Sequence, residues 1–260
     1  KRKRQIQPLA EINQLSKDLL IEIIFENAEK SQVLLDLDEV LPSKQCCISQ
    51  YSSIIESEAY IIAETSKVDK LRWHKERQFR ITGSRCYELY TYNKNDWHTK
   101  SEKYFWPKGF TNKFVQHGIK TEPEARMAYI SDTGHNVRET GLMVSKKHPW
   151  LGYSPDGITI GHNNRPIKLL EIKCPFIGKT EPAIGFINSC DFLVQDGELI
   201  SLKKKHKYYG QYILVFQKDF LNIRVKFDLN FTSTMIHKLQ SIYFNMLHEI
   251  CISKNVKNIK

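Results

Sequence analysis

Two carboxylates and one lysine fall within a short segment whose pattern brings them together. Asp156 precedes a short apolar run, and Glu171 and Lys173 lie in a second apolar run, after a polar break rich in glycine and asparagine. Two such runs about such a break indicate a β-hairpin. With the turn centred between residues 163 and 164, Asp156 faces Glu171 at the roughly 4.5–5.5 Å Cβ separation of cross-strand partners. Lys173 shares the face of Glu171, because alternate residues of a strand point to the same side.

This arrangement suits divalent-cation binding and phosphodiester hydrolysis. Two carboxylates at that distance repel each other unless a cation lies between them. Mg²⁺ prefers oxygen ligands and keeps several waters, so it fits such a site. A lysine beside a metal-bound water can orient that water or stabilise charge that develops on a phosphate. The alternative interpretation of the same residues is a salt bridge across the surface of a hairpin.

Three features favour the catalytic interpretation. Glu171 lies between Leu170 and Ile172, where an unpaired carboxylate is costly. Asp156 lies in a Pro-Asp-Gly sequence, which favours a tight turn at the start of the strand. A third carboxylate candidate lies upstream, in the Thr-Glu-Pro-Glu-Ala-Arg sequence at residues 121–126.

Five segments, taken in order, resemble the lambda exonuclease and YqaJ-like viral recombinase nucleases, a branch of the PD-(D/E)XK superfamily. The segments are residues 73–85, 117–126, 154–157, 170–175 and 208–211. Their order and spacing match the family from about residue 68 to residue 216. The resemblance implies an α/β fold, an α+β sandwich with a PD-(D/E)XK restriction-endonuclease-like core and a helical N-terminal region.

The resemblance also implies a metal site. Asp156 and Glu171 would be metal ligands, with the backbone carbonyl of Ile172 as a further ligand. Glu122 matches the carboxylate on the family's helix and would complete a second metal position or hold a water; Glu124 is the competing candidate. The expected cofactor is Mg²⁺, for which Mn²⁺ could substitute, with one or two ions bound.

Two further residues would act on the water and the phosphate. By the same resemblance, Lys173 positions the attacking water, and Gln211 orients that water or the scissile phosphate. One departure concerns an additional aspartate that lambda-type enzymes carry ten residues before the position of Asp156. Lys146 occupies that place here, so the number of metal ions of the lambda-type enzymes does not transfer directly.

A pocket for a terminal 5′ phosphate is the third implication of the resemblance. The matching positions are Arg77, Ser84 and Ser154. Arginine offers a forked donor that suits phosphate oxygens, and each serine adds one hydroxyl donor. Arg77 could equally be a solvated helix end and Ser84 a helix cap, and Trp73 is expected in the core rather than as a stacking platform.

Composition agrees with a polyanionic partner. The 260 residues carry a net charge of +10, with a pI near 9.2 and 41% hydrophobic residues. The six cysteines form no C-x-x-C pair, which indicates reduced thiols in an intracellular protein. The basic start, residues 1–4, could be a nuclear import signal, a phosphate-binding arm or a solvated end. The expected partners are duplex DNA, a single-strand annealing protein and further copies of the chain, a trimer by family precedent, with no membrane.

Hydrophobic periodicity predicts the elements that position these residues. Residues 1–70 are expected to form a helical N-terminal region with a basic tail, and residues 71–260 the nuclease domain. Helices are predicted from residue 16 to about residue 28, and over residues 54–70, 110–133, 208–216 and 232–253. Pro123 is expected in a first turn or at a bend, and residues 221–229 alternate as a half-buried strand.

The function expected from these observations is that of a Mg²⁺-dependent DNA nuclease. It would be a 5′-to-3′ exonuclease on duplex DNA in recombination or in viral or mobile-element DNA processing. The alternatives are a structure-specific endonuclease or RNA-cleaving relative, and a catalytically silent DNA-binding module. The expected location is intracellular, in the nucleus if the source is a eukaryote or a virus of eukaryotes.

Overall fold

A computed structural model describes most of the chain. The described residues are 17–42, 45–161, 163, 165–197, 199–203, 206, 213–215, 220–221, 223 and 228–258. The predicted basic tail, the Tyr-Tyr-Gly-Gln segment at 208–211 and most of the predicted strand at 221–229 lie outside these ranges. No helix in the described ranges is long and apolar enough to span a membrane.

Helices lie at both ends of the described part of the chain, and short strands lie between them in sequence. The helices are α1 (Lys17–Glu29), α2 (Gln32–Leu35), α3 (Gln45–Ile55), α4 (Ala59–Val68), α5 (Lys70–Gln78), α6 (Gly83–Tyr90), α7 (Trp97–Phe105), α8 (Lys113–Thr133), α9 (Ala183–Ser189) and α10 (Leu229–Asn258). The strands are β1 (Ile81–Thr82), β2 (Asn136–Arg138), β3 (Met143–Val144), β4 (Leu151–Tyr153), β5 (Gly157–Ile160), β6 (Pro166–Leu170), β7 (Ile172–Lys173), β8 (Leu193–Asp196), β9 (Leu199–Leu202), β10 (Ile213–Val215) and β11 (Phe220–Leu221).

Short sheets in the described part of the chain carry the residues of interest. β5 pairs antiparallel with β2 and β6, and β4 pairs with β1 in parallel and with β3 antiparallel. β7 pairs in parallel with β10, which in turn pairs antiparallel with β11. Together with the surrounding helices, this is the mixed α/β architecture that the sequence predicted.

The N-terminal helices share the main core with the C-terminal helix. Tyr51 and Ile54 from α3 are buried in one cluster with Trp150, Tyr243 and Met246. A buried ion pair reinforces this region: the guanidinium of Arg80, 2% exposed, binds Glu76 at 2.8 Å and the carbonyl of Ile54 at 2.6 Å. The described part of residues 1–70 is helical, while the boundary at residue 70 stays a prediction.

Several predicted elements differ from the structure. The helix expected over residues 208–216 is wrong where it is described, because Ile213–Val215 form strand β10. Leu229, expected in a strand, begins α10. Short apolar runs are compatible with either element, and pairing with β7 decides in favour of a strand at β10.

The long helix α8 forms as expected but contains a proline. It begins at Lys113, after Asn112 has capped it by accepting hydrogen bonds from the amides of Phe114 and Val115 at 3.0 and 2.9 Å. Pro123 lies in the interior of α8 and not in its first turn. One backbone hydrogen bond is lost there. The burial of Ala125 and Tyr129 on the same helix offsets that loss.

Candidate active site

The predicted hairpin places Asp156 and Glu171 at the same end of two paired strands. β5 and β6 pair in the register Gly157 to Leu170 and Ile158 to Leu169, with an irregularity after Thr159. Extending the register by one residue sets Asp156 opposite Glu171, as the sequence predicted.

Glu171 lies where one strand changes its partner. Residues before it, in β6, pair with β5, and the residues that follow, Ile172 and Lys173, pair in parallel with β10. Glu171 itself belongs to neither ladder. The change of partner leaves its carboxylate free to face Asp156 and Lys173 rather than a neighbouring strand.

Direct contacts join the three predicted residues. The ammonium of Lys173 donates a short hydrogen bond to Oε1 of Glu171 and lies 3.9 Å from Oδ2 of Asp156. It also donates to the backbone carbonyl of Ile172 at 3.1 Å. The amide of Ile172 donates to Oδ2 of Asp156 at 2.6 Å, which fixes the orientation of that carboxylate. The surface salt bridge considered as an alternative does not describe this cluster, because all three side chains are at least partly buried.

Burial and like charge make the carboxylate pair electrostatically unfavourable on its own. Burial, followed by the negative charge of Glu171, raises the pKa of Asp156 to about 7. Lys173 and the amide of Ile172 act in the opposite direction without cancelling this rise. The single positive charge of Lys173 is therefore not enough to keep both Asp156 and Glu171 ionised.

Glu122 lies beside this cluster and is held by an arginine. Its Oε1 accepts a hydrogen bond from Arg126 at 2.7 Å. Burial raises the pKa of Glu122, and the negative charge of Glu171 adds to that rise. Glu124, the competing candidate, is exposed. Of Glu122 and Glu124, Glu122 is therefore the carboxylate that interacts electrostatically with the pair formed by Asp156 and Glu171.

Arg126 connects Glu122 to the carboxylate pair. Its Nε donates to the backbone carbonyl of Asp156 at 3.0 Å, and its third nitrogen binds Glu139 at 2.7 Å. Spacing could have revealed the link to Glu122, because residues four apart on a helix are neighbours. The contact between Arg126 and Asp156 joins residues far apart in the sequence, so no local pattern predicted it.

Tyr153 is a second residue that the sequence did not single out. Its phenol donates to Oε2 of Glu171 at 2.9 Å, on the side of the carboxylate away from Lys173. Burial, together with the charge of Glu171, raises the pKa of Tyr153. The phenol therefore remains protonated and remains a donor.

The oxygen atoms around Lys173 test whether the site fits a metal ion. In the described residues, no group of three or more His, Cys, Asp and Glu side chains is arranged to hold one. Oxygens from Asp156, Glu171 and the backbone of Ile172 nevertheless converge on a single cationic centre, the ammonium of Lys173. Such hard oxygen donors are those that Mg²⁺ prefers, and water supplies the remaining ligands. The residues therefore fit a divalent cation.

The residues predicted to bind a 5′ phosphate form one connected group. Arg77 donates to the hydroxyl of Ser84 at 2.9 Å and to that of Thr82 at 3.3 Å. The guanidinium lies 3.9 Å from the centre of the Trp73 ring, and the indole of Trp73 donates to Ser154 at 2.9 Å. Trp73 is half-buried and thus links the two sides of the predicted pocket.

The charge of Arg77 has no carboxylate partner in this group. Burial, with the nearby charge of Arg85, lowers the pKa of Arg77 to about 10. The negative charge of a bound anion would offset both contributions that disfavour the charged form of Arg77. The group around Arg77 can therefore accept a phosphate.

Two other sequence-based expectations have different outcomes. Gln211 lies outside the described residues, so its role stays a prediction. Lys146, which replaces the additional aspartate, is exposed, and its amide donates to Glu29 of α1 at 2.7 Å. The backbone of Lys146 therefore helps to hold α1 in place.

Comparisons with known proteins concern a domain match, the fold and a viral relative. Residues 72–185 match the model of the YqaJ-like viral recombinase domain. That range contains the cluster at Asp156, Glu171 and Lys173 and the group around Arg77. It ends before the segment at 208–211, so the family match is shorter than the sequence resemblance suggested.

The fold is similar to that of a bacterial exonuclease. The crystal structure of LHK-Exo in complex with dAMP matches with a TM-score of 0.55 and 18% identity, over 73% of this chain and 100% of that chain. The alkaline exonuclease LHK-Exo from Laribacter hongkongensis, in another crystal structure, matches with a TM-score of 0.50 over the same shares. These matches confirm the predicted mixed α/β fold.

A viral protein matches a shorter part of the chain. The uncharacterized protein R354 of Acanthamoeba polyphaga mimivirus is 41% identical over 71 residues, which is 25% of this chain. The matched part is 13% of the length of that viral protein. The domain match at residues 72–185 and the similar fold are in line with the resemblance predicted from the sequence.

Proposed function

We propose that the YqaJ-like viral recombinase domain at residues 72–185 makes this chain a Mg²⁺-dependent DNA nuclease, acting as a 5′-to-3′ exonuclease on duplex DNA. The observation that carries the proposal is the convergence of oxygens from Asp156, Glu171 and Ile172 on the ammonium of Lys173. Paired carboxylates with an adjacent lysine are suited to hydrolysing a phosphodiester, whereas a surface ion pair needs no such convergence.

In this proposal Asp156, Glu171 and the carbonyl of Ile172 hold the metal, and Glu122 holds a second ion or a water. When bound, the metal supplies an activated water and neutralises charge on the phosphate. Mn²⁺, which accepts similar oxygen ligands, is expected to substitute.

The remaining residues orient these groups. The amide of Ile172 fixes Asp156, and the phenol of Tyr153 fixes Glu171. Lys173 donates to the attacking water, or to a nonbridging phosphate oxygen, where it stabilises the charge that develops. Water adds to phosphorus, and a P–O bond of the backbone breaks. Preorganised donors of this kind cost no reorganisation during the reaction.

The group around Arg77 explains how the enzyme would act from an end. A terminal 5′ phosphate carries charge that an internal phosphodiester lacks, and Arg77 with Ser84 and Ser154 offers donors for it. Ser154 lies two residues before Asp156, so a phosphate held there lies close to the metal site. Recognition of the end and cleavage would then be coupled by the short connection between β4 and β5.

The family resemblance supports a biological context for this activity. The proposed role is recombination or the processing of viral or mobile-element DNA, with a single-strand annealing protein as a candidate partner. Assembly into a trimer is likewise proposed from the family precedent. The net charge of +10 favours association with duplex DNA.

A nuclease assay with matched variants tests the proposal. The substrates are linear duplex labelled at either end, closed circular plasmid, single-stranded DNA and RNA, each with Mg²⁺ or EDTA. We expect Mg²⁺-dependent loss of the linear duplex, with label released first from 5′ ends. Asp156→Asn should abolish cleavage, whereas Asp132→Asn, at an exposed position of α8, should not.

Each other outcome assigns a different function. Cleavage of the closed circle or of RNA would identify an endonuclease or an RNA-cleaving relative. DNA binding without cleavage of any substrate would identify a silent binding module. Unchanged cleavage by a folded Asp156→Asn protein would remove the assigned site.

A further inference from the structure

An exposed aromatic and basic surface lies next to the candidate active site. Phe114, in the first turn of α8, is 54% exposed, and its ring contacts that of Phe176 edge-on at 5.2 Å. Phe110, in the segment before α8, is 75% exposed. Exposed aromatic rings offer flat faces on which the bases of a single nucleic-acid strand can stack.

Two lysines surround the same rings. The ammonium of Lys179 lies 4.3 Å from the centre of the Phe176 ring, and that of Lys113 lies 5.4 Å from it. Lys113 is also 5.3 Å from the centre of the Phe114 ring. Neither lysine forms an ion pair with an acidic residue of the described ranges. Phe114, Phe176, Lys113 and Lys179 are here called the aromatic–lysine surface.

The aromatic–lysine surface is continuous with the catalytic residues along the chain. Phe176 follows Lys173 by three residues, at the start of a short 3-10 helix (Phe176–Lys179). Phe114 precedes Glu122 by eight residues of α8, which is about 12 Å along the helix axis. That distance corresponds to a few nucleotides of a DNA strand. The surface therefore lies within the span of a few nucleotides from the candidate site.

Fixed packing holds Phe176 in place. Its ring meets the ring of buried His117 edge-on at 5.4 Å, in addition to that of Phe114. Phe176 therefore fixes the position of the Phe114 ring. More than half of the surface of Phe114 is exposed and can contact a ligand. Two uncompensated ammonium groups near these rings favour a ligand with repeated negative charge.

We propose that the aromatic–lysine surface binds an unpaired DNA strand beside the cleavage site, with a base stacked on Phe114 and the adjacent phosphates held by Lys113 and Lys179. The identity of this ligand as the substrate strand rests on the proposed nuclease function. Aromatic rings accept any base because every base has a π face, and lysines follow the backbone without reading sequence. Such a surface suits an enzyme that must digest DNA of any sequence.

The test separates stacking from charge. Binding is measured by fluorescence anisotropy in EDTA, with labelled oligothymidylate and with an oligonucleotide of equal length in which the bases are replaced by abasic sites. Phe114→Ala should weaken binding of oligothymidylate about five- to tenfold and leave the abasic strand unaffected. Lys113→Ala and Lys179→Ala should weaken both strands equally and each lower the salt slope by about one.

Matched controls keep the result specific. Leu41→Ala, which removes an apolar side chain that is 72% exposed, should leave both affinities unchanged. Lys94→Ala, at an exposed lysine of another loop, should have a smaller effect than either lysine variant of the surface. Since Phe114 is largely exposed, its variants are expected to unfold at the wild-type temperature.

Two results would overturn the proposal. One is that Phe114→Ala binds oligothymidylate as the wild type does; the other is that it loses affinity equally for the abasic strand. A change in sedimentation with unchanged DNA binding would likewise reject it, because Phe114 would then belong to a protein interface.

Failure of this proposal is distinguishable from failure of the nuclease assignment. The binding assay contains no metal and needs no cleavage. A protein that cleaves DNA but shows no base-dependent contribution from Phe114 keeps the nuclease and loses the surface. A protein that shows base-dependent binding through Phe114 but cleaves no DNA keeps the surface and loses the nuclease assignment.

Discussion

The phenol of Tyr153 donates a hydrogen bond to Oε2 of Glu171 at 2.9 Å, while Lys173 occupies the other oxygen of the same carboxylate. Glu171 is thus held from both sides, and its orientation is set without the proposed metal. Residues that orient a metal ligand commonly contribute 10- to 100-fold, roughly, to metal affinity or activity.

Removal of this phenol should weaken the metal site without unfolding the protein. We expect Tyr153→Phe to raise the Mg²⁺ concentration for half-maximal cleavage about tenfold. Titration of the cleavage rate with Mg²⁺ measures this. Tyr92→Phe is the control, because Tyr92 donates only to the backbone carbonyl of Asp96 at the surface. Equal Mg²⁺ dependence in both variants would show that Tyr153 does not position Glu171.

Mg²⁺ should stabilise the wild-type protein against unfolding. A ligand that binds only the folded state adds RT ln(1 + [L]/Kd), which is about 1.4 kcal/mol at a concentration ten times Kd. Asp156→Asn should lose this increment while keeping an oxygen acceptor for the amide of Ile172. Thermal unfolding with and without Mg²⁺ measures the increment, and Asp132→Asn should retain it. A rise in melting temperature of the same size in Asp156→Asn would place the ion elsewhere.

Loss of Arg126 should destabilise the fold as well as the site. Its side chain, 12% exposed, joins Glu122, Glu139 and the carbonyl of Asp156. Arg126→Ala leaves the half-buried Glu122 without its partner, and we expect a loss of about 1–3 kcal/mol in the free energy of unfolding. Urea unfolding measures this loss. Glu139→Ala, at a residue whose side chain is 54% exposed, should cost less than about 1 kcal/mol. Equal losses would mean that Glu122 does not depend on Arg126.

Arg77 should distinguish phosphorylated from unphosphorylated ends. We expect Arg77→Ala to slow digestion of 5′-phosphorylated duplex by about tenfold or more, with a smaller effect on 5′-hydroxyl duplex, because a charge-assisted pair is lost only with the former. Arg77→Lys should recover part of the rate but not all, since lysine lacks the forked donor. Initial rates on the two substrates measure the ratio. The pocket is excluded if both ends are slowed equally.

A large part of the site could be predicted from local sequence. Two short apolar runs, residues 157–160 and 167–170, flank a polar break whose centre predicts the hairpin register, and that register sets Asp156 opposite Glu171. Lys173 follows from the period of two along a strand. Arg77, Ser84 and Ser154 could be named from the family resemblance, and the structure brings them together through Trp73.

Other elements depended on contacts that local patterns do not contain. Ile213–Val215 form a strand because β7 offers a parallel edge, although the apolar spacing of that region also suits a helix. Pro123 is tolerated inside α8 because burial of Ala125 and Tyr129 outweighs one missing hydrogen bond.

The sequence by itself therefore determined the candidate site of this protein: its carboxylates, its lysine and the family that these residues resemble. Only the tertiary structure decided how those groups are oriented, because Tyr153 and Arg126 reach Glu171 and Asp156 from β4 and α8. Strand pairing and side-chain alternation are periodic and visible locally. Contacts between elements that are distant along the chain produce no periodic pattern in the sequence. The role of Tyr153 and the aromatic–lysine surface could therefore be recognised only in the tertiary structure.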